Sequence, residues 1–221
     1  MIRPMMAELL RLGDAFWDSY AMCREPLIGK ITPEQKREFL RNAHLCGEKL
    51  ADGILSEVPG VRPEAYAESC GVTVEHAEEA EDGTMFACFT EPDRITVYQK
   101  TIESAQALIA EQGLEDILGD VRVEDVLLAH ELYHYLEYAR PGVYTGRKLL
   151  RLWKIGRFQS WSRVVALQEI GAMAFTGRLL GLPYSPYVFD VLLLYTRNKR
   201  MSKELYEGIV RLARMGEEKR C

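Results

Sequence analysis

His130, Glu131 and His134 form a His-Glu-x-x-His run, the one stretch of this chain whose residue types and spacing could do chemistry together. Its flanks, Val126 to Ala129 and Tyr135 to Tyr138, lack Gly and Pro and carry apolar residues at helical spacing, which predicts a helix from about Arg122 to Ala139. Residues four apart on a helix share a face, so both imidazoles can reach one metal ion at about 2.0 to 2.1 Å. Glu131 then projects beside the metal, where a water would bind. Zinc lowers the pKa of water from about 15.7 to near 7, and a neighbouring carboxylate can take the remaining proton. The expected chemistry is metal-assisted hydrolysis, with His130 and His134 as ligands and Glu131 as general base. The plain alternative is a helix whose two histidines are ordinary core or surface residues.

A third ligand is expected on a second helix, read from Ser162 to Leu180 and stopped by Gly181 and Pro183. Between Val164 and Gly177 its only ionisable side chain is Glu169, and a carboxylate in an apolar run is expensive unless paired or bound to a metal. Glu169 is therefore the candidate.

Glu169, Ala172, Phe175, Leu179, Leu180 and Pro183, following His130 to His134, resemble the pattern of the ImmA/IrrE family of zinc metallopeptidases over about residues 60 to 183. The resemblance implies a minimal zincin-like core, a Zn²⁺ ion on His130, His134 and Glu169, and Glu131 as base. It also implies a peptide or protein substrate, in that family often a single intracellular regulatory protein such as a transcriptional repressor. One departure stands out. The family usually has Asn or Asp four residues after the glutamate ligand, and here that residue is Met173. A polar side chain there would hold the ligand in place. Its loss motivates the alternative of a catalytically weak or inactive binding protein that retains the zinc site.

The surrounding helices and strands are expected to make a predominantly helical α+β fold. Residues 1–58 read as an N-terminal helical scaffold, 59–183 as the core and 184–221 as a C-terminal helical extension, most simply as one compact domain. Met5, Leu9, Leu12, Phe16 and Tyr20 suggest one helix running through Gly13, and Thr32-Pro33-Glu34-Gln35 opens a second with a capping box. Val72 to His76, Thr84 to Phe89 and Arg94 to Tyr98 alternate with period two, and Asp82-Gly83 and Glu91-Pro92-Asp93 supply turns. They are expected to form a three-stranded antiparallel sheet whose edge strand lies above the metal and pairs with an extended peptide. Ser202 is expected to cap the last helix, with Leu205, Ile209 and Leu212 inward and the tail from Gly216 frayed.

Between Tyr138 and Gln168 lie seven basic residues and no acidic one, interleaved with Trp153, Phe158 and Trp161. Either this block borders the cleft, with Arg147, Arg151 and Tyr144 contacting an acidic peptide, or it is the solvated face of an amphipathic helix with Leu149, Leu150, Leu152 and Trp153 inward. The oxyanion stabiliser stays open among Tyr98, Tyr144 and His76. A net charge of −5 and a pI near 5.5 argue against a nucleic-acid partner. The early charges Glu8, Arg11 and Asp14 leave no signal-peptide core, Val191 to Tyr195 is too short to span a bilayer, and five cysteines without paired spacing fit free thiols. A cytoplasmic protein with no membrane partner is the expectation.

Overall fold

The computed structural model describes residues 2–80 and 85–218. The chain is predominantly helical with a small three-stranded mixed sheet and a separate hairpin. The turn expected at Asp82-Gly83 lies outside the described residues.

The first element is broken where one helix was expected. Helix α1 (Ile2–Leu9) ends before Gly13, whose extended backbone (ψ 165°) is the N-cap of α2 (Asp14–Cys23). Glycine costs a helix interior about 1 kcal/mol, whereas Asp14 suits the positive end of a new helix. The indole N–H of buried Trp17 donates to the Leu12 carbonyl at 3.1 Å and so satisfies a group freed by the break. The capping box is formed as read: Thr32 and Gln35 exchange side-chain and backbone bonds at the start of α3 (Pro33–Glu57). Phe39, Ala43, Gly47, Ala51 and Ile54 make its buried stripe, and α4 (Pro63–Ser69) follows.

Strands β1 (Thr73–Ala77), β2 (Ala87–Thr90) and β3 (Arg94–Tyr98) are ordered β1-β3-β2. The expected antiparallel sheet is corrected in one pairing: β2 runs antiparallel to β3, but β1 runs parallel to it. Alternation of side chains is the same in both kinds of pairing, so the period could not decide direction. Centrality follows burial, since β3 alone carries two fully buried residues, Ile95 and Val97. Helices α5 (Gln99–Glu111) and α6 (Glu115–Leu118) lead to α7 (Val123–Ala139), which packs against α4, β2 and β3.

After the short α8 (Tyr144–Arg147), the basic segment is not a helix. Leu149–Ile155 is strand β4 and Phe158–Arg163 is strand β5, antiparallel about Gly156-Arg157. Gly156 has φ +58°, a conformation that hairpin turns commonly give to glycine in this position. Trp153, Ile155, Phe158 and Trp161 favour strands, and this outweighs the helical spacing of the leucines. The expected helix from Ser162 accordingly starts later, as α9 (Ala166–Leu179).

Helix α10 (Val188–Arg197) buries the apolar run, and α11 (Lys199–Glu218) closes the chain. Its cap is Asn198, whose Oδ1 accepts from the N–H groups of Arg200 and Met201. Ser202 instead donates from a buried hydroxyl to the Val191 carbonyl at 2.7 Å, tying α11 to α10. Of the face read as inward, Ile209 is buried, Leu205 half-buried and Leu212 exposed. Of the tail read as frayed, α11 runs through Glu218, and residues 219–221 lie outside the described chain.

The two helices that matter for the site are set by close backbone contact. A Cβ on Gly47 of α3 would lie 2.1 Å from the Gly171 carbonyl of α9, and one on Gly171 would lie 2.1 Å from the Tyr133 hydroxyl of α7. Three helices thus meet at positions where only hydrogen fits.

Candidate metal centre and its cleft

Helix α7 presents His130 and His134 one turn apart, with their Nε2 atoms 3.1 Å from each other. Glu169, in the first turn of α9, places Oε2 3.5 Å from His130 Nε2 and Oε1 3.8 Å from His134 Nε2. The three residues read from the sequence are brought together. Ligand atoms about 2.0 to 2.1 Å from a tetrahedral ion sit about 3.3 to 3.4 Å apart, and the three separations bracket that edge. Burial pushes both imidazoles down to about 4, so they stand neutral with lone pairs available. Among the described residues no fourth His, Cys, Asp or Glu joins the set.

Glu131 points from the same helix to the sheet. Its Oε2 accepts the backbone N–H of Phe89, on edge strand β2, at 2.8 Å. Burial raises its carboxyl to about 7, the Phe89 bond opposes that rise, and the charge of Glu169 adds to it. A carboxylate near that value can both take and return a proton at neutral pH.

Two more carboxylates fix the start of α9, and neither was read from the sequence. Buried Glu25 accepts the N–H of Ala166 at 2.9 Å and that of Leu27 at 3.0 Å, which anchors the end of α2 on the first turn of α9. Glu137, one turn beyond His134, accepts from Gln168 and Thr145, and Thr145 is also bonded to Tyr133 at 2.6 Å. Gln168 is adjacent to Glu169, so this network holds the third ligand's backbone against α7. Met173 itself lines the cleft without a polar contact, and Glu169 has the two histidines as its only hydrogen-bond or ion-pair partners among the described residues.

The site opens on a cleft of about 580 Å³. Apolar walls come from Phe86, Leu127, Met173, Phe189 and Leu193. The N-terminal segment, read as scaffold, also supplies Arg24 and Glu25 to one wall. Thr176, Tyr187 and Asp190 also line the cleft and were not singled out. Asp190 carried a legible signal, being the only charged residue between Arg178 and Arg197. The reasoning that found Glu169 applied to it equally.

The other candidates lie elsewhere. His76 pairs with Glu124 at 2.9 Å, Tyr98 is the N-cap of α5, and Tyr144 sits under the Lys148 ammonium; none of the three lines the cleft. Arg147 and Arg151, on α8 and β4, do not line it either. No helix among the described residues is long and apolar enough to cross a membrane. Comparison of the chain with family models, curated proteins and solved structures finds no match.

Proposed function

We propose that the protein is a zinc-dependent hydrolase of peptide bonds. The observation that carries this reading is the convergence of three ligand atoms at tetrahedral spacing beside a buried carboxylate, on the wall of a cleft. The His-Glu-x-x-His spacing and the resemblance to the ImmA/IrrE metallopeptidases point the same way. Zinc in this donor set would supply Lewis acidity and an acidified water. His130, His134 and Glu169 would hold it, two neutral nitrogens and one carboxylate, which suits zinc better than the all-oxygen shells of magnesium or calcium.

Glu131 acts as the base. Its Oε2 is anchored by Phe89, while Oε1 has no hydrogen-bond partner among the described residues and is free to accept a proton from water. The same bond links the base to the substrate track. Tyr98 donates to the Phe86 carbonyl, so Ala87 and Phe89 alternate outward from the sheet. The Phe89 N–H is engaged by Glu131, which leaves the Ala87 edge to pair with an extended peptide and lay its carbonyl toward the metal ligands.

A second reading is a binding protein that keeps zinc with weak or no chemistry, favoured by Met173. Metal analysis and mass-spectrometric detection of peptide cleavage separate the two. One zinc per chain, hydrolysis by the native protein, retained zinc without hydrolysis in Glu131→Gln, and loss of both in His134→Ala are expected. Zinc binding without cleavage of any peptide or protein offered supports the second reading. Absence of zinc after reconstitution, with no thermal stabilisation by added zinc, removes both.

A further inference from the structure

The cleft contains a carboxylate that the proposed chemistry does not use. Of its four acids, Glu131 and Glu169 belong to the metal centre, and Glu25 is satisfied by two backbone N–H groups. The Asp190 carboxylate has no hydrogen bond or ion pair among the described residues. Arg24, the cation sharing the cleft, is hydrogen-bonded to the Tyr20 hydroxyl at 3.4 Å and forms no ion pair with Asp190. Two hydroxyls stand in the same condition. Tyr187 Oη and Thr176 Oγ1 are buried, line the cleft and have no partner.

These groups are brought to one place by helix period. Glu169, Met173 and Thr176 follow one another along one face of α9, while Asp190 and Leu193 follow at three-residue steps from Tyr187, the N-cap of α10. Both faces line the cleft, and Phe86, Phe189 and Leu193 add apolar surface to its lining. Unsatisfied buried hydroxyls are rare, and each leaves a donor or acceptor that a ligand can complete. A carboxylate among apolar walls calls for a cation brought in from outside.

We propose that the Asp190 region of the cleft is a side-chain subsite for a lysine or arginine of the substrate. Asp190 is its counter-charge, the hydroxyls of Tyr187 and Thr176 are acceptors for its N–H groups, and the phenylalanines and Leu193 cover its aliphatic stem. This rests on the cleft being a substrate cleft, as in the hydrolase reading, and adds selectivity to it. Burial raises the Asp190 carboxyl to about 7, with Arg24 opposing the rise and Glu169 adding to it.

The test uses alanine-based hexapeptides in which each position in turn is lysine, norleucine, glutamine or glutamate. Binding is measured by calorimetry to zinc-loaded Glu131→Gln, and cleavage by the native protein is followed separately. At one position, lysine should bind about ten-fold tighter than norleucine, the size of a desolvated charge-assisted contact. Asp190→Asn in the same background should reduce that ratio to about two, while Tyr187→Phe should reduce it less. Both variants are checked for zinc content and for a cooperative melt. Equal binding of lysine and norleucine peptides, a preference for glutamate set by Arg24, or no binding of any peptide would overturn the subsite. A lysine preference that depends on Asp190, without cleavage by the native protein, keeps the subsite and removes the hydrolase. Cleavage without that preference does the reverse.

Discussion

At the scale of single residues, the ionisable groups of the site are perturbed mainly by burial, and the sign of each shift fixes a pH dependence. Asp190 and Glu131 are raised to about 7, so each favours the fold in its protonated form. That stabilisation is complete below the unfolded value near 4 and is lost as pH rises through 7. His130 and His134 act oppositely, because a folded value of about 4 favours the neutral ring and their contribution is lost as pH falls from about 6.5 to 4. In chelator-treated protein, Asp190→Asn should therefore be more stable than the native chain by on the order of 2 kcal/mol at pH 8, a figure held below the full shift by partial exposure of Asp190. Urea unfolding at pH 5, 6, 7 and 8 measures this, and the advantage should shrink as the pH is lowered. An advantage that does not change with pH would mean that Asp190 is not held protonated by the fold.

At the scale of elements, the placement of Glu169, the candidate third ligand, depends on how closely α9 approaches its neighbours. Gly47→Ala places a methyl 2.1 Å from the Gly171 carbonyl, against backbone that cannot move without shifting the helix. It should destabilise the protein by about 3 kcal/mol, the upper end for overpacking, and weaken zinc binding because Glu169 moves with α9. Gly53→Ala lies on the same helix with nothing within 4 Å, and should stabilise by about 0.5 to 1 kcal/mol with unchanged zinc affinity. Thermal unfolding and competitive zinc titration of the two variants give the comparison. A related test concerns Glu137→Gln, which keeps its shape but loses the charge that holds Gln168 and Thr145. Zinc affinity should fall about ten-fold, the lower end for groups that orient ligands.

At the scale of the whole molecule, charge and apolar surface are concentrated on the β4–β5 hairpin. Trp153, Ile155, Phe158 and Trp161 are exposed there beside Arg151, Arg157 and Arg163. Under the proposed hydrolase reading, because Arg147 and Arg151 do not line the cleft, reversing both to Glu should leave cleavage of hexapeptides within about two-fold of native, while a large protein substrate that reaches the hairpin should be affected. Replacing Trp153, Ile155 and Phe158 by Ser should change stability by about 0.5 kcal/mol or less per site and lower self-association, read by light scattering.

The features legible in the residues alone are those that the helix period and local charge can encode. His130 and His134 share a helix face because of their spacing, with Glu131 beside them, and Glu169 stands out because nothing near it in the chain offers it a cation. The capping box at Thr32 and Gln35 was equally local, and it formed as read. The break at Gly13 and the hairpin in the basic segment turned on local preferences that apolar spacing does not weigh, whereas the direction of β1 was decided only by its pairing with β3. The same holds for the rest of the site. Glu25 reaches Ala166 across 141 residues and Phe89 reaches Glu131 across 42, and no window of sequence contains either pair. A hydrogen bond between distant residues costs the chain loop entropy that only the assembled core repays, so such contacts exist in the tertiary structure and leave no local trace.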